Sequence, residues 1–289
     1  MGRTVWSSTC EKTGEMIMAL TEKEEVARKR VCLALDVSSV QEALTLANEL
    51  SEYVGMFKIG GELHCAANNE AVPIIGRIYA TNHDVSGNVF LDLKFHDTPN
   101  TVYKDAMNSA IPGVRVFNLH IAGGENMCRK ALEGAYEGAQ KNRIEKPKVI
   151  GVTELTSIDN SDLEKQGIGI SYKDLVERRT ELAREWGLDG VVCPAKEAGN
   201  LEKKFGSDFL YVTPGIQYAG VFRQGQKQLY TPAQAVQDCK SSVLVIGGAV
   251  TLAGNEYDPE DKTKIVKAGT RDDRRRIAYE ILQSMATYL

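Results

Sequence analysis

Eight short apolar runs, each followed by a longer stretch of helical character, set the strongest limit on what this chain can fold into. The runs lie at 31–36, 56–60, 89–94, 114–120, 148–153, 190–193, 209–213 and 243–247, and the clearest helical stretches between them at 40–53, 101–110, 125–141, 172–186 and 232–239. Strands that alternate with helices argue for βαβ units and a parallel sheet. Eight such repeats in 289 residues favour closure into a single (β/α)8 TIM barrel of the α/β class, because barrels of about 250 residues commonly form one domain. A doubly wound open sheet is the alternative that the pattern alone leaves open. The chain has no Gly-x-Gly-x-x-Gly after the first run and no P-loop, which counts against that alternative. Residues up to about 14 are polar and aperiodic, and 16–29 read as a short, charge-rich amphipathic helix. The expected division is therefore an N-terminal extension, 1–30, and a barrel, 31–289.

Several function classes are disfavoured at once. With 43% hydrophobic and 26% charged residues the composition is ordinary globular, and a net charge of −4 gives no global footprint for nucleic acid. A local basic pocket for a small phosphate stays open. No apolar run approaches the roughly 20 residues that span a bilayer. The six cysteines, at 10, 32, 65, 128, 193 and 239, form no Cys-x-x-Cys pair, which reads as reduced, mostly buried thiols. The four histidines, at 64, 83, 96 and 120, show no metal-ligand spacing, so no metal is expected. The start carries neither a myristoylation signal nor a signal-peptide core. The expectation is a soluble, cytoplasmic protein with no nucleic-acid or membrane partner.

A barrel enzyme keeps its active site at the C-terminal ends of the strands. There, three adjacent runs end in charge: Leu35-Asp36, Phe57-Lys58 and Leu91-Asp92-Leu93-Lys94. Side chains alternate along a strand, so Asp92 and Lys94 share one face, while Leu91 and Leu93 share the other and suit the outer helices. That alternation aims Asp92 and Lys94 into the barrel mouth, where burial obliges them to pair. A charged ring that merely plugs the barrel is the bland reading of any one of these residues; three neighbouring strands weaken it. Asp97, next to Thr98 and Pro99, could equally cap the helix that follows. His96 and His120 read as hydrogen-bonded scaffold. Near the C-terminus, Pro214-Gly215 follows the seventh run, and Gly247-Gly248 follows the eighth. Barrels often bind phosphate with these two loops, although plain tight turns would use the same glycines. Between them, Arg223-Gln224-Gly225-Gln226-Lys227 forms a polar stretch able to close over a phosphate.

The motif Asp92-x-Lys94-x-x-Asp97 within LDLKFHDTPNTV closely resembles the signature of the orotidine 5′-monophosphate decarboxylases. The likeness extends, in the family's order, through LALD (33–36), FKIG (57–60), HIAGG (120–124), VTELTS (152–157), GVVCPAKEA (190–198), VTPGI (212–216) and YTPAQA (230–235). The resemblance implies a TIM-barrel homodimer that needs neither metal nor organic cofactor. It implies that Lys58, Asp92, Lys94 and Asp97 form an alternating charged array beside C6 of the pyrimidine. Within that array Lys94 is the proton donor, and Asp97 reaches into the neighbouring subunit's site. Asp36, Lys58 and, across the dimer, Thr101 would bind ribose hydroxyls, and Thr156 would face the pyrimidine edge. Pro214, Gln226, Gly247 and Gly248 would line the phosphate site. One departure stands out: the family usually reads Gly-Arg where this chain has Gly247-Gly248. Glycine supplies neither the charge nor the bidentate fork of a guanidinium; the backbone N–H groups and Gln226 could still hold the phosphate, and Arg223 or Lys227 could compensate. Two rivals accompany this reading. One is a Mg²⁺-dependent sugar-phosphate decarboxylase or aldolase of the same superfamily. The other is a barrel that binds nucleotide without catalysis.

Overall fold

In the computed structural model the described residues are 20–67, 70–73, 75–76, 88–218, 230–239, 242–258, 260–261 and 263–289. Eight strands close into one parallel barrel in chain order, β1 to β8, with β1 pairing with β8. They are β1 Val31–Ala34, β2 Met56–Gly60, β3 Val89–Phe95, β4 Val114–His120, β5 Lys148–Val152, β6 Gly190–Val192, β7 Leu210–Thr213 and β8 Ser242–Ile246. An antiparallel pair, Glu256–Tyr257 with Ile265–Lys267, follows the barrel.

The period of two along each strand divides the core in two. Cys32, Ala34, Met56, Phe90, Val116, Ile150, Val152, Val192, Val212 and Val245 fill the barrel interior. Their neighbours in sequence, such as Leu33, Phe57, Leu91, Phe117, Val191 and Leu244, pack outward against the helices. Each such side chain, once buried, stabilises the fold by roughly 1.5–3 kcal/mol relative to exposure. The next inward position after Ala34 is Asp36, after Met56 it is Lys58, and after Phe90 it is Asp92. The polar layer thus sits directly on an apolar plug, at the C-terminal mouth.

The strand boundaries expected from sequence are met to within one or two residues. The first strand stops at Ala34 instead of 36. The Leu35 N–H still donates to the Lys58 carbonyl, and Asp36 then leaves the ladder. Helix Pro99–Ser109 begins two residues before the expected 101, because proline at the first helical position sacrifices no hydrogen bond. Helix Val40–Leu50 stops short of 53 at the cap Ser51. The N-terminal helix is Glu22–Arg28, opened by a capping box between Thr21 and Glu24; the earlier part of the expected 16–29 lies outside the described residues. Helices Ala195–Phe205 and Arg271–Ala286 were not among the stretches singled out from sequence. The second has a visible start, the Thr270–Asp273 capping box. No helix among the described residues is long and apolar enough to cross a membrane.

Candidate active site

Four charged side chains form a string along one wall of the barrel mouth. Lys58 on β2 places Nζ 2.9 Å from Asp36 Oδ1 and 3.2 Å from Asp92 Oδ2. Lys94 places Nζ 2.7 Å from Asp92 Oδ1. The signs alternate from Asp36 to Lys94, and the string ends in a cation. Lys58 is almost fully buried, whereas the Lys94 side chain keeps 35% of its surface open to the mouth. Gly60, the next inward residue on β2, leaves the room that Lys58 uses: a Cβ there would lie 3.1 Å from Nζ.

Electrostatics hold the string in its ionised form. Burial opposes the Lys58 ammonium, but Asp92 and then Asp36 outweigh that, and the pKa lies above the ordinary lysine value. Burial also opposes the Asp92 carboxylate; Lys58 and Lys94, with hydrogen bonds from Lys94 and Asn118, hold it below the usual carboxylate range.

The backbone at Lys94 is unusual. Its φ is +54°, in the left-handed region that a non-glycine residue occupies at a cost of about 1–3 kcal/mol. The β3–β4 register shifts between Leu91 and Phe95, at this kink. Asn118, on β4 and fully buried, accepts from the Lys94 backbone N–H at 2.8 Å and donates from Nδ2 to Asp92 Oδ1 at 2.7 Å. Sequence reasoning passed over Asn118, because one polar residue in an apolar run carries no signal by residue type.

A cavity of about 230 Å³ opens beside the string. Ala34, Phe90, Val152, Val192, Val212 and Val245 make its apolar floor, and Asp36, Lys58, Asp92 and Lys94 its charged wall. Thr156, Pro214, Gly247 and Gly248 lie on its lining too. Gly215 takes φ +82°, a turn that favours glycine. Gly247 caps the short turn Gly248–Thr251. Glu154 and Gln217 were missed. Glu154 bears the same mark as Asp36, an inward charge one position past the apolar floor. It is buried, and Arg179 from helix Tyr172–Glu185 pairs with it at 2.7 Å.

Asp97 and Thr101 do not line this cavity. Both are exposed, and their nearest partners are local: the Thr98 N–H donates to Asp97 Oδ1, and Thr98 Oγ1 meets Thr101 Oγ1 at 3.0 Å. The helix-cap reading of Asp97 needs correcting. The N-cap of helix Pro99–Ser109 is Thr98, and it makes no side-chain cap bond. Asp97 stands one residue too early, so it orders the entry to the helix instead of capping it. Gln226, Arg223 and Lys227 lie outside the described residues. The rings of His96 and His120 stand 5.3 Å apart. Burial, then His96, pushes His120 below the ordinary histidine value, with Glu154 opposing. Cys32, Cys128, Cys193 and Cys239 are buried thiols in no disulfide, and Cys65 is exposed.

The chain as a whole has relatives among known proteins. Residues 29–260 match the model of the orotidine 5′-phosphate decarboxylase / HUMPS family. The chain belongs to that family. The orotidine 5′-phosphate decarboxylase of Pelobacter propionicus is 40% identical over 227 residues, 78% of this chain and 90% of its own. That of Geobacter metallireducens is 39% identical over 243 residues, 83% of this chain and 95% of its own. Among solved structures, the orotidine 5′-phosphate decarboxylase of Lactobacillus acidophilus superposes with a TM-score of 0.70 at 29% identity, covering 88% of this chain and 98% of its own. As an orotidine 5′-phosphate decarboxylase / HUMPS family member, the chain presents the Asp92-x-Lys94-x-x-Asp97 motif on β3 and the turn after it. Among the described residues no Lys or Arg lines the glycine end of the cavity.

Proposed function

We propose that this chain converts orotidine 5′-monophosphate to uridine 5′-monophosphate, the last step of de novo pyrimidine synthesis. The observation that carries the proposal is the unbroken Asp36–Lys58–Asp92–Lys94 string facing one cavity. Breaking the bond from C6 to the carboxylate leaves an electron pair in the ring plane, where the π system cannot spread it. A fixed ammonium beside C6 stabilises that charge, and water excluded from the floor strengthens the effect. Lys94 then passes an Nζ proton to C6, CO₂ leaves, and the neutral amine regains a proton from solvent. Asp92 and Lys58 keep Lys94 charged and oriented. In this reading Asp36 and Lys58 hold the ribose hydroxyls, Thr156 the pyrimidine edge, and Pro214, Gln226, Gly247 and Gly248 the phosphate. Backbone N–H groups at the start of a helical turn serve an anion well, and Arg223 or Lys227 supplies the charge that Gly248 lacks. Asp97 and Thr101 complete the site of a partner subunit in a homodimer. The catalytic domain is 31–289, the location cytoplasmic, and the chemistry needs neither metal nor organic cofactor.

The test is the loss of pyrimidine absorbance when orotidine 5′-monophosphate meets the pure protein with chelator present. A steady fall is expected, and Lys94→Ala should lower turnover by about 10³-fold or more while uridine 5′-monophosphate still binds. Near-normal turnover by Lys94→Ala would overturn the residue assignment. Activity lost to chelator would favour the metal-dependent rival, and binding without turnover the non-catalytic one.

A further inference from the structure

We infer that Asn118 is a positioning residue for the reacting lysine, holding Lys94 by its backbone while holding Asp92 by its carboxylate. The inference rests on the decarboxylase reading for its catalytic consequence, but its structural part stands alone. Three hydrogen bonds close a ring: Lys94 N–H to Asn118 Oδ1 at 2.8 Å, Asn118 Nδ2 to Asp92 Oδ1 at 2.7 Å, and Lys94 Nζ to the same Asp92 oxygen at 2.7 Å. Asn118 therefore touches both ends of the Asp92–Lys94 pair and is itself completely buried.

A neutral amide suits this place, and neither an ionised carboxylate nor an aliphatic side chain does. The site needs an acceptor toward Lys94 N–H and a donor toward Asp92, on one rigid planar group. A carboxylate offers no donor, and an aliphatic side chain offers neither. The donor is neutral, so it directs Asp92 without adding a cation that would compete with Lys94 for the departing charge. It also settles which carboxylate oxygen serves which lysine: Oδ1 takes Lys94 and Asn118, and Oδ2 takes Lys58. The acceptor meets the backbone N–H of a residue at φ +54°, where the β3–β4 ladder breaks its register. An ordinary extended residue at 94 would carry the amine along a different line. Strained backbone persists only where its surroundings hold it, and functional sites are where such strain gathers.

Two variants test this, each read in two ways. Asn118→Ala removes both bonds, and its crystal structure should show Lys94 leaving positive φ and Nζ leaving Asp92. Unchanged φ and an unchanged 2.7 Å pair would overturn the inference, whatever the protein turns over. In kinetics, Asn118→Ala should lower kcat by about 10²-fold, as a misplaced reacting group does. Affinity for uridine 5′-monophosphate should stay within about threefold, since Asn118 is not part of the cavity lining. Asn118→Asp is nearly isosteric and keeps the fold testable if the alanine variant does not fold. Protonated, its acid group copies the amide, accepting from Lys94 and donating to Asp92. Ionised, it sets a second carboxylate against Asp92, and that repulsion raises its own pKa. Turnover by Asn118→Asp should therefore fall as pH rises through that raised value, a limb missing from the wild type over the same range. A pH-independent loss, or no loss in either variant, would overturn the positioning role. If the wild type itself fails to decarboxylate orotidine 5′-monophosphate, the functional reading falls, and the crystal structure of Asn118→Ala still decides the inference.

Discussion

At the scale of single residues, Lys58 shows how function and stability share one ion pair. It lies between Asp36 and Asp92, and removing it would leave two carboxylates facing each other in a mostly buried place. Breaking a buried pair on one side destabilises by roughly 3–5 kcal/mol, and Asp36, being one-third exposed, puts the expected value for Lys58→Met near the lower end. The pH dependence follows from the two shifts. Asp92 has a lower pKa folded than unfolded, so its contribution is complete above the unfolded value of about 4 and is lost as pH falls through the folded one. Lys58 has a higher pKa folded, so its contribution is complete below about 10.4 and is lost as pH rises through the folded value. Urea unfolding of wild type and Lys58→Met should show the widest gap between those limits and a narrowing gap below pH 4. A gap equal at neutral and strongly acid pH would mean that the pair is not what stabilises the mouth.

At the scale of elements, the pair of helices Pro99–Ser109 and Glu125–Asn142 bears on the site from outside the barrel. They meet through Gly134 and Gly138: a Cβ at either would overlap the backbone carbonyl oxygens of Tyr103 and Met107. The contact has no slack on the backbone side, so Gly138→Ala should destabilise by about 1–3 kcal/mol as overpacking does, lowering the melting temperature by several degrees. An unchanged melting temperature would show that the helices separate freely. Helix Pro99–Ser109 is also the element that carries Thr101 and follows Asp97. Its close packing is invisible in the residue pattern, where two small residues four apart read only as weak helix formers. The strands were legible for the opposite reason. Burial on two faces writes itself as a continuous apolar run, and the alternation in Leu91-Asp92-Leu93-Lys94 states which side is the mouth. Asn118 was not legible, because its partner is a kink at Lys94 that breaks the strand register, and no pattern of residue types announces a positive φ. Glu154 could have been found by the rule that found Asp36.

At the scale of the molecule, the cavity accounts for only part of the motif. Asp92 and Lys94 line it, but Asp97, three residues on, is exposed and outside it. A residue of the signature turned to the surface makes sense if a second copy brings its own cavity there, and a twofold dimer would do so for both sites at once. The consequence can be tested with two inactive proteins, Lys94→Ala and Asp97→Asn. Each homodimer spoils both of its sites. In a mixed dimer, one site joins the intact Lys94 of the second protein to the intact Asp97 of the first, and the other site lacks both. Equal amounts refolded together assort at random, so half the dimers are mixed and about a quarter of all sites are whole. Activity should therefore rise from almost nothing to about a quarter of the wild-type value after joint refolding, and not after simple mixing if subunits exchange slowly. No recovery in a sample shown to contain mixed dimers would place Asp97 in its own subunit's site or outside catalysis, and the shared-site dimer would be wrong.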